Sequence, residues 1–248
     1  MRGDVVKRRV RVLALAGLVG FLLTGSAQPA EGSPVQSPEV VLGSAAGLAP
    51  DGRSVAVNLL AKCPERWTVV ETLVTVSQPQ ASGHASFPLT CTGSFQSFTV
   101  TVQSSGAAFL LGEAQATASV LIKRGRTAEA QDSDVVTVEP TVFVDLADTA
   151  LVQGGGEAVL IDVTAACPVG SSGQQSYVNV SQGQTTSGNG FYVPTCDGQR
   201  HTFTVNVQAS QGLFQPGGAH GITFAFVQAG GQSFAGIDEN TQLQLVVN

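Results

Sequence analysis

The stretch CTGSFQSFTVTVQ, residues 91–103, returns 105 positions later as CDGQRHTFTVNVQ, residues 196–208. The repetition extends well beyond it. With an offset of 104, and of 105 after one inserted residue, Ala61, Cys63 and Pro64 fall on Ala165, Cys167 and Pro168, and Val74, Val76, Ser77 and Gln78 fall on Val178, Val180, Ser181 and Gln182. Farther on, Cys91, Gly93, Phe98, Val100, Val102, Gln103, Phe109 and Gly112 fall on Cys196, Gly198, Phe203, Val205, Val207, Gln208, Phe214 and Gly217. A register held over such a span with one insertion is a tandem duplication. The sequence must therefore build one small unit twice, over residues 38–139 and 141–248, with Glu139-Pro140-Thr141 as a short linker.

Within each copy the matched apolar residues recur at every second position, the period that puts side chains on one face of a strand. Val55, Val57, Leu59, Ala61 and Cys63 make one such row, repeated as Val159, Ile161, Val163, Ala165 and Cys167. Phe98, Val100 and Val102 make another, and Ala114 to Ile122 a third, while Thr99, Thr101 and Gln103 face water. Turn residues separate the runs: Pro50-Asp51-Gly52, Ser82-Gly83, Gly154-Gly155-Gly156, Gly188-Asn189-Gly190, Pro216-Gly217-Gly218 and Gly230-Gly231. Gly93 and Gly198, straight after a cysteine, are placed for tight turns at positive φ. About seven short strands per roughly 100 residues predict an all-β chain of two tandem immunoglobulin-like β-sandwich domains, each made of two packed antiparallel sheets.

The first residues have a different character. Arg2, Lys7, Arg8, Arg9 and Arg11 precede an apolar run, Val12–Leu23, and then Gly25-Ser26-Ala27. This is the pattern of a cleaved signal peptide over residues 1–27. The run is shorter than the roughly 20 residues a membrane span needs, so the mature chain is expected to be secreted, with residues 28–37 as a disordered linker. Without residues 1–27 the chain keeps 7 basic against 17 acidic residues, a net charge of −10. That balance argues against nucleic acid, whose binding rests on Lys and Arg neutralising phosphates. The one basic cluster, Lys123-Arg124-Gly125-Arg126, reads as a solvated hairpin turn.

Four cysteines at duplicated positions in an exported chain read as disulfides. Three pairings are possible. Pairing Cys63 with Cys91 and Cys167 with Cys196 keeps each copy self-contained. A metal site is disfavoured, because each copy has two thiols, no CxxC spacing and no duplicated histidine.

Catalytic motifs are scarce. Each of His84, His201 and His220 lacks a histidine at its matched position. His201 is the best base candidate, with Asp197 nearby in sequence, yet its counterpart is Gln96. Gly231-Gln232-Ser233-Phe234-Ala235 superficially matches a nucleophile elbow, which requires a strand-to-helix turn. Asp132/Asp134 and Asp238/Glu239 precede each last strand as solvated turn acids, with calcium as the rival reading. For binding, Phe87 and Tyr192 occupy matched positions, and Trp67 is the single tryptophan.

The quoted segments LLAKCP, VTVSQ and FLLGEA, with their partners VTAACP, VNVSQ and FQPGGA, resemble a group of secreted actinobacterial Ig-like β-sandwich repeats of uncharacterised function. The resemblance covers about residues 40–248 and implies a fold and a compartment, with no catalytic residue. The expected function is a secreted, non-enzymatic binding or structural module without cofactor or metal. Its partner would be an extracellular protein or glycan, contacted by loops or outward sheet faces around Phe87, Tyr192, Trp67 and His201. The alternatives are a small-molecule carrier with an apolar cleft near Phe87 and Tyr192, and an extracellular hydrolase using His201 and Asp197.

Overall fold

The computed structural model describes residues 37–247, so the expected signal peptide over residues 1–27 and most of the expected linker after it lie outside the described residues. Seven strands form the first sheet: β1 (Glu39–Leu48), β2 (Ser54–Lys62), β3 (Thr68–Gln78), β4 (Ala81–Ala85), β5 (Phe95–Gln103), β6 (Gly112–Arg124) and β7 (Arg126–Pro140). The second sheet contains β8 (Phe143–Gln153), β9 (Ala158–Ala166), the two-residue β10 (Ser172–Gly173), β11 (Ser176–Gln182), β12 (Thr186–Tyr192), β13 (His201–Gln211), β14 (Gly217–Ala229) and β15 (Gln232–Val246). The first sheet runs β4-β3-β6-β7-β1-β2-β5, and the second repeats that order as β12-β11-β14-β15-β8-β9-β13, with β10 added beside β14. The chain is therefore all-β, and the duplication is visible strand for strand.

The layering differs from two separately packed sheets. In the second half β12 also pairs with β13, at Ser187, Gly188 and Asn189, so the ladder closes on itself as a barrel. In the first half the corresponding seam, between β4 and β5, is held by a single bridge, Gly83 to Ser104, and by the Ser105 N–H donating to the Ser82 carbonyl (2.9 Å). What rolls the ladder up is the first strand of each half. β1 is antiparallel to β2 from Glu39, shifts register between Leu42 and Ala46, and from Ala45 to Leu48 also runs parallel to β7. β8 does the same with β9 and β15, with its shift between Leu146 and Ala150.

At that shift the sheet needs an acceptor that the backbone does not supply. Asp132 Oδ2 accepts from the Leu42 N–H at 2.8 Å, and Asp238 Oδ2 accepts from the Leu146 N–H at 2.7 Å. These acids lie inside the long β7 and β15, which begin at Arg126 and Gln232, and so do not precede the last strands as the sequence suggested. The solvated-turn reading of Asp132 and Asp238 is thus corrected: each carboxylate ties the switching strand to its parallel neighbour. Hydrogen bonds to a charged group contribute about 1.5–3 kcal/mol, and these are only partly buried. Asp132→Ala or Asp238→Ala should therefore cost about 1–2 kcal/mol in urea titrations. The asparagine variants, which keep a carbonyl acceptor, should recover part of that loss. Equal losses for alanine and asparagine would show that the carbonyl-type acceptor is not what matters.

Two turn assignments also change. Ser82-Gly83 lies within β4 and Gly188-Asn189-Gly190 within β12. A methyl group at Gly83 would collide with the Gln103 carbonyl oxygen, and one at Gly188 with that of Gln208, the matched residue. The glycines are kept for close backbone approach across the seam, and not for reversal. Gly93 and Gly198, in contrast, have the expected positive φ of 78° and 83°, and each donates its N–H to the carbonyl of the first cysteine of its copy.

The apolar rows fill two separate cores. One is built from residues between Val40 and Val138, the other from residues between Val144 and Leu245. Each fully buried side chain of this size contributes about 1.5–3 kcal/mol. Between the sheets the chain is short: β7 extends through Glu139 and Pro140, and Thr141 donates its N–H to the Leu48 carbonyl (2.9 Å).

Candidate functional site

The disulfides join Cys63 to Cys91 and Cys167 to Cys196, with Cα separations of 4.4 and 4.7 Å. Both fall within the ordinary range for such bonds. Each ties the loop before β5 or β13 to the end of β2 or β9.

Beside each bridge the cysteine-x-glycine turn is stapled by side chains in the same way in both copies. Thr92 Oγ1 accepts from the Ser94 N–H (3.4 Å), and the Gln96 amide reaches Thr92 Oγ1 (3.5 Å) and the Thr90 carbonyl (2.5 Å). At the matched positions Asp197 Oδ1 accepts from the Gln199 N–H (2.9 Å), and His201 Nε2 lies 2.9 Å from both Asp197 oxygens. The Gln199 N–H, followed by His201, holds the Asp197 carboxyl below its ordinary value of 3.8. A depressed carboxylate stabilises the fold above that ordinary value and loses the effect as pH falls through its lower folded value. The His201–Asp197 pair is therefore the second copy's version of a turn staple that the first copy makes from Gln96 and Thr92.

The other sequence-level candidates are distributed differently. Phe87 and Tyr192 are 5% and 8% exposed and belong to the cores. Their rings pack on Phe98 and Phe203, with centroids 5.0 and 5.5 Å apart. Phe87 also lines an open concavity of about 560 Å³ with Val69, Val70, Thr72 and His84. Trp67 is half-buried against the first core, just after the first cysteine of its copy. Gly231 to Ala235 forms the turn and first residues of the β14–β15 hairpin, where Ser233 pairs with Gln228; no strand-to-helix turn is formed. His220 Nε2 lies 2.8 Å from Glu239 Oε1, beside an open concavity of about 780 Å³ lined by Asp148, Ser181, Gln242 and Gln244.

Tyr192 shows how the copies compensate internally. Its hydroxyl lies 3.1 Å from Thr223 Oγ1, and Thr223 in turn donates to the Tyr177 carbonyl (3.2 Å). The matched residues in the first copy are Phe87 and Ala118, so both hydroxyls are absent together. Replacing both partners of a buried hydrogen bond is far cheaper than removing one. Tyr192→Phe and Thr223→Ala should each cost about 1 kcal/mol, and the double variant should fall short of their sum by about as much. Strict additivity in that cycle would show the hydroxyls to be uncoupled. Burial, partly offset by the Thr223 hydrogen bond, also raises the Tyr192 phenol above its ordinary 10.0. Its stabilising effect is complete below pH 10.0 and lost as pH rises through the higher folded value, a loss that Tyr192→Phe should lack.

The glutamines of the repeated V-x-V-S-Q run, which sequence reasoning left without a role, form a second duplicated network. Gln78 Oε1 accepts from the Leu110 N–H (2.9 Å), while its amide donates to the carbonyls of Leu110 (2.9 Å) and Glu113 (3.2 Å). Gln182 makes the same contacts to Gln215 (2.9 and 2.7 Å) and Gly218 (3.4 Å). The retention of both glutamines at matched positions was the available signal.

No known family's sequence profile matches the chain, and no curated protein matches it. Among solved structures it matches one described as a tetra-tandem repeat in the extending region of a large adhesion protein, with 16% identity and a TM-score of 0.28. The match covers 83% of this chain and 49% of that one, so this chain spans about half the length of that structure. Among the described residues no helix is long and apolar enough to cross a membrane.

Proposed function

We propose that the chain is a pair of immunoglobulin-like β modules acting outside the cell as a non-enzymatic binding or structural unit. Separate cores over residues 40–138 and 144–245, each with its own disulfide, support two modules. Antiparallel ladders whose first strand changes partner support the immunoglobulin-like assignment, and two disulfides support an oxidising compartment. The observation that carries the reading is the division of labour between kept and changed residues. The kept cysteines, glycines, phenylalanines and the V-x-V-S-Q glutamines serve bridges, seams, cores and latches, and the changed residues dominate the outward faces. The pairs with catalytic residue types, His201 with Asp197 and His220 with Glu239, occur in one copy each and are exposed.

The test uses the mature chain, residues 28–248, with isolated cell envelopes and with chromogenic ester and glycoside substrates. Retention on envelopes without turnover of any substrate is the expected result. Turnover that disappears in the His201→Ala, Asp197→Ala double variant would make the chain a hydrolase.

A further inference from the structure

Net charge describes the whole chain and conceals where the cations sit. Of the seven Lys and Arg among the described residues, only Arg53 and Arg200 lie elsewhere; Lys62, Arg66, Lys123, Arg124 and Arg126 gather at one end of the first sheet. The ladder places them there. Lys62 closes β2 opposite Phe95 at the start of β5, Lys123 pairs with Thr68 at the start of β3, and Arg124 and Arg126 flank the β6–β7 turn. Arg66 lies in the β2–β3 connection between them. The acids at this end are Glu39, paired with Lys62 at 3.2 Å, and Glu65, while Glu71 and Glu129 lie farther along the ladder. Among the described residues Arg66, Lys123, Arg124 and Arg126 have no carboxylate within ion-pair distance, and all four are exposed.

Aromatic faces accompany these charges. Phe95 is 48% exposed with the Lys62 ammonium 5.4 Å from its ring centroid, and Trp67, partly buried against the first core, adjoins Arg66 in the chain. The matched end of the second sheet carries one cation, Arg200, where the first has Phe95, and its hairpin turn is Gly230-Gly231.

Arg66 supplies an independent observation. Its φ is 65°, left-handed backbone that a non-glycine residue adopts only at a cost, and the matched residue of the second copy is Gly170, with a φ of 95°. Where folding alone decides, the position holds glycine. The fold itself therefore gives no reason for arginine there, and the guanidinium is free for another role.

We propose that this tip binds an acidic polysaccharide, with the arginines taking uronate carboxylates and Phe95 and Trp67 taking sugar-ring faces. The inference rests on the reading of the chain as an extracellular binding module. Arginine's planar fork matches carboxylate, and aromatic rings supply large, rigid contact area. Two disulfides fit an oxidising compartment outside the cytoplasm, which favours polysaccharide over nucleic acid as the polyanion.

The test measures binding of the mature chain to polygalacturonate at low and moderate salt. Inorganic polyphosphate, single-stranded DNA and phosphatidylglycerol vesicles serve as rivals. The expected result is binding that weakens by about tenfold or more from 50 to 200 mM salt. Arg66→Gly with Arg124→Gln and Arg126→Gln should weaken it by a further tenfold or so, whereas Arg53→Gln with Arg200→Gln should not. Arg66→Gly alone should melt no lower than the parent and still bind more weakly, separating binding from folding. Equal binding by both variant sets would remove the tip as the site and leave the binding-module reading standing. No binding at low salt, or equally tight binding to any rival polymer or to vesicles, would overturn the proposal. New reducing ends released from polygalacturonate would sink the non-enzymatic reading along with it.

Discussion

Removing the second disulfide, with Cys167→Ala and Cys196→Ala, is expected to lower the melting temperature of the second half by about 15–25 °C and leave the first half's transition in place. The bridge closes a loop with a sequence separation of 29. In the chain-entropy account that closure contributes about 3–4 kcal/mol at this length. For a unit of roughly 100 residues, each kcal/mol moves the midpoint by about 4–8 °C. Structure sharpens the expectation. The seam between β12 and β13 is paired only at Ser187, Gly188 and Asn189, and farther along it the loop between Tyr192 and His201 is anchored through Cys196. In the first half the seam has one bridge in place of three pairs, so Cys63→Ala with Cys91→Ala should cost more than its counterpart. Differential calorimetry on both variants decides the matter. A single merged transition that shifts as a whole would count against two independently folding modules, and a shift below a few degrees would show that the seams hold without their staples.

Much of this architecture is legible in the sequence for a simple reason. A period-2 row such as Val55, Val57, Leu59 and Ala61 can bury one face only as a strand, and duplication presents the same row twice. The within-copy disulfides follow from the same duplication. Other features are less visible because they depend on partners distant in sequence. Gly83 and Gly188 look like turn residues until the carbonyls of Gln103 and Gln208 are brought against them. Asp132 and Asp238 look like solvated acids until β1 and β8 change partners 90 and 92 residues upstream. Closure of the second ladder rests on three pairs between β12 and β13, where the first half has a single bridge, a difference that the shared apolar rows do not reveal. The basic tip is hidden by averaging: a chain with net negative charge still concentrates its cations at the β2–β3 connection and the β6–β7 turn.

The matched phenylalanines carry the other large expected effect. Phe109 and Phe214 are fully buried, and each sits on the connection leading into β6 or β14. The Phe109 N–H donates to the Gly52 carbonyl (2.8 Å) and the Phe214 N–H to that of Gly156 (2.9 Å), in the turns between the first two strands of each half. Gln78 and Gln182 hold the next residue of the same connection from the other side. Each connection is therefore a plug: the ring fills the end of the core, and backbone and glutamine bonds fix the chain above it. The two contributions differ in size. Truncating a buried phenylalanine to alanine costs about 3–5 kcal/mol, from lost burial and from the cavity left behind. Gln78 and Gln182 bond at exposed positions, where water replaces much of what is lost, so Gln78→Ala or Gln182→Ala should cost about 1 kcal/mol. Phe214→Ala should then open the second seam, because its ring also lies against Gly188 in β12. Hydrogen exchange should show lost protection at Ser187 to Asn189 in Phe214→Ala and retained protection there in Gln182→Ala. The opposite order would mean that the hydrogen-bonded latch, and not the buried ring, closes the barrel.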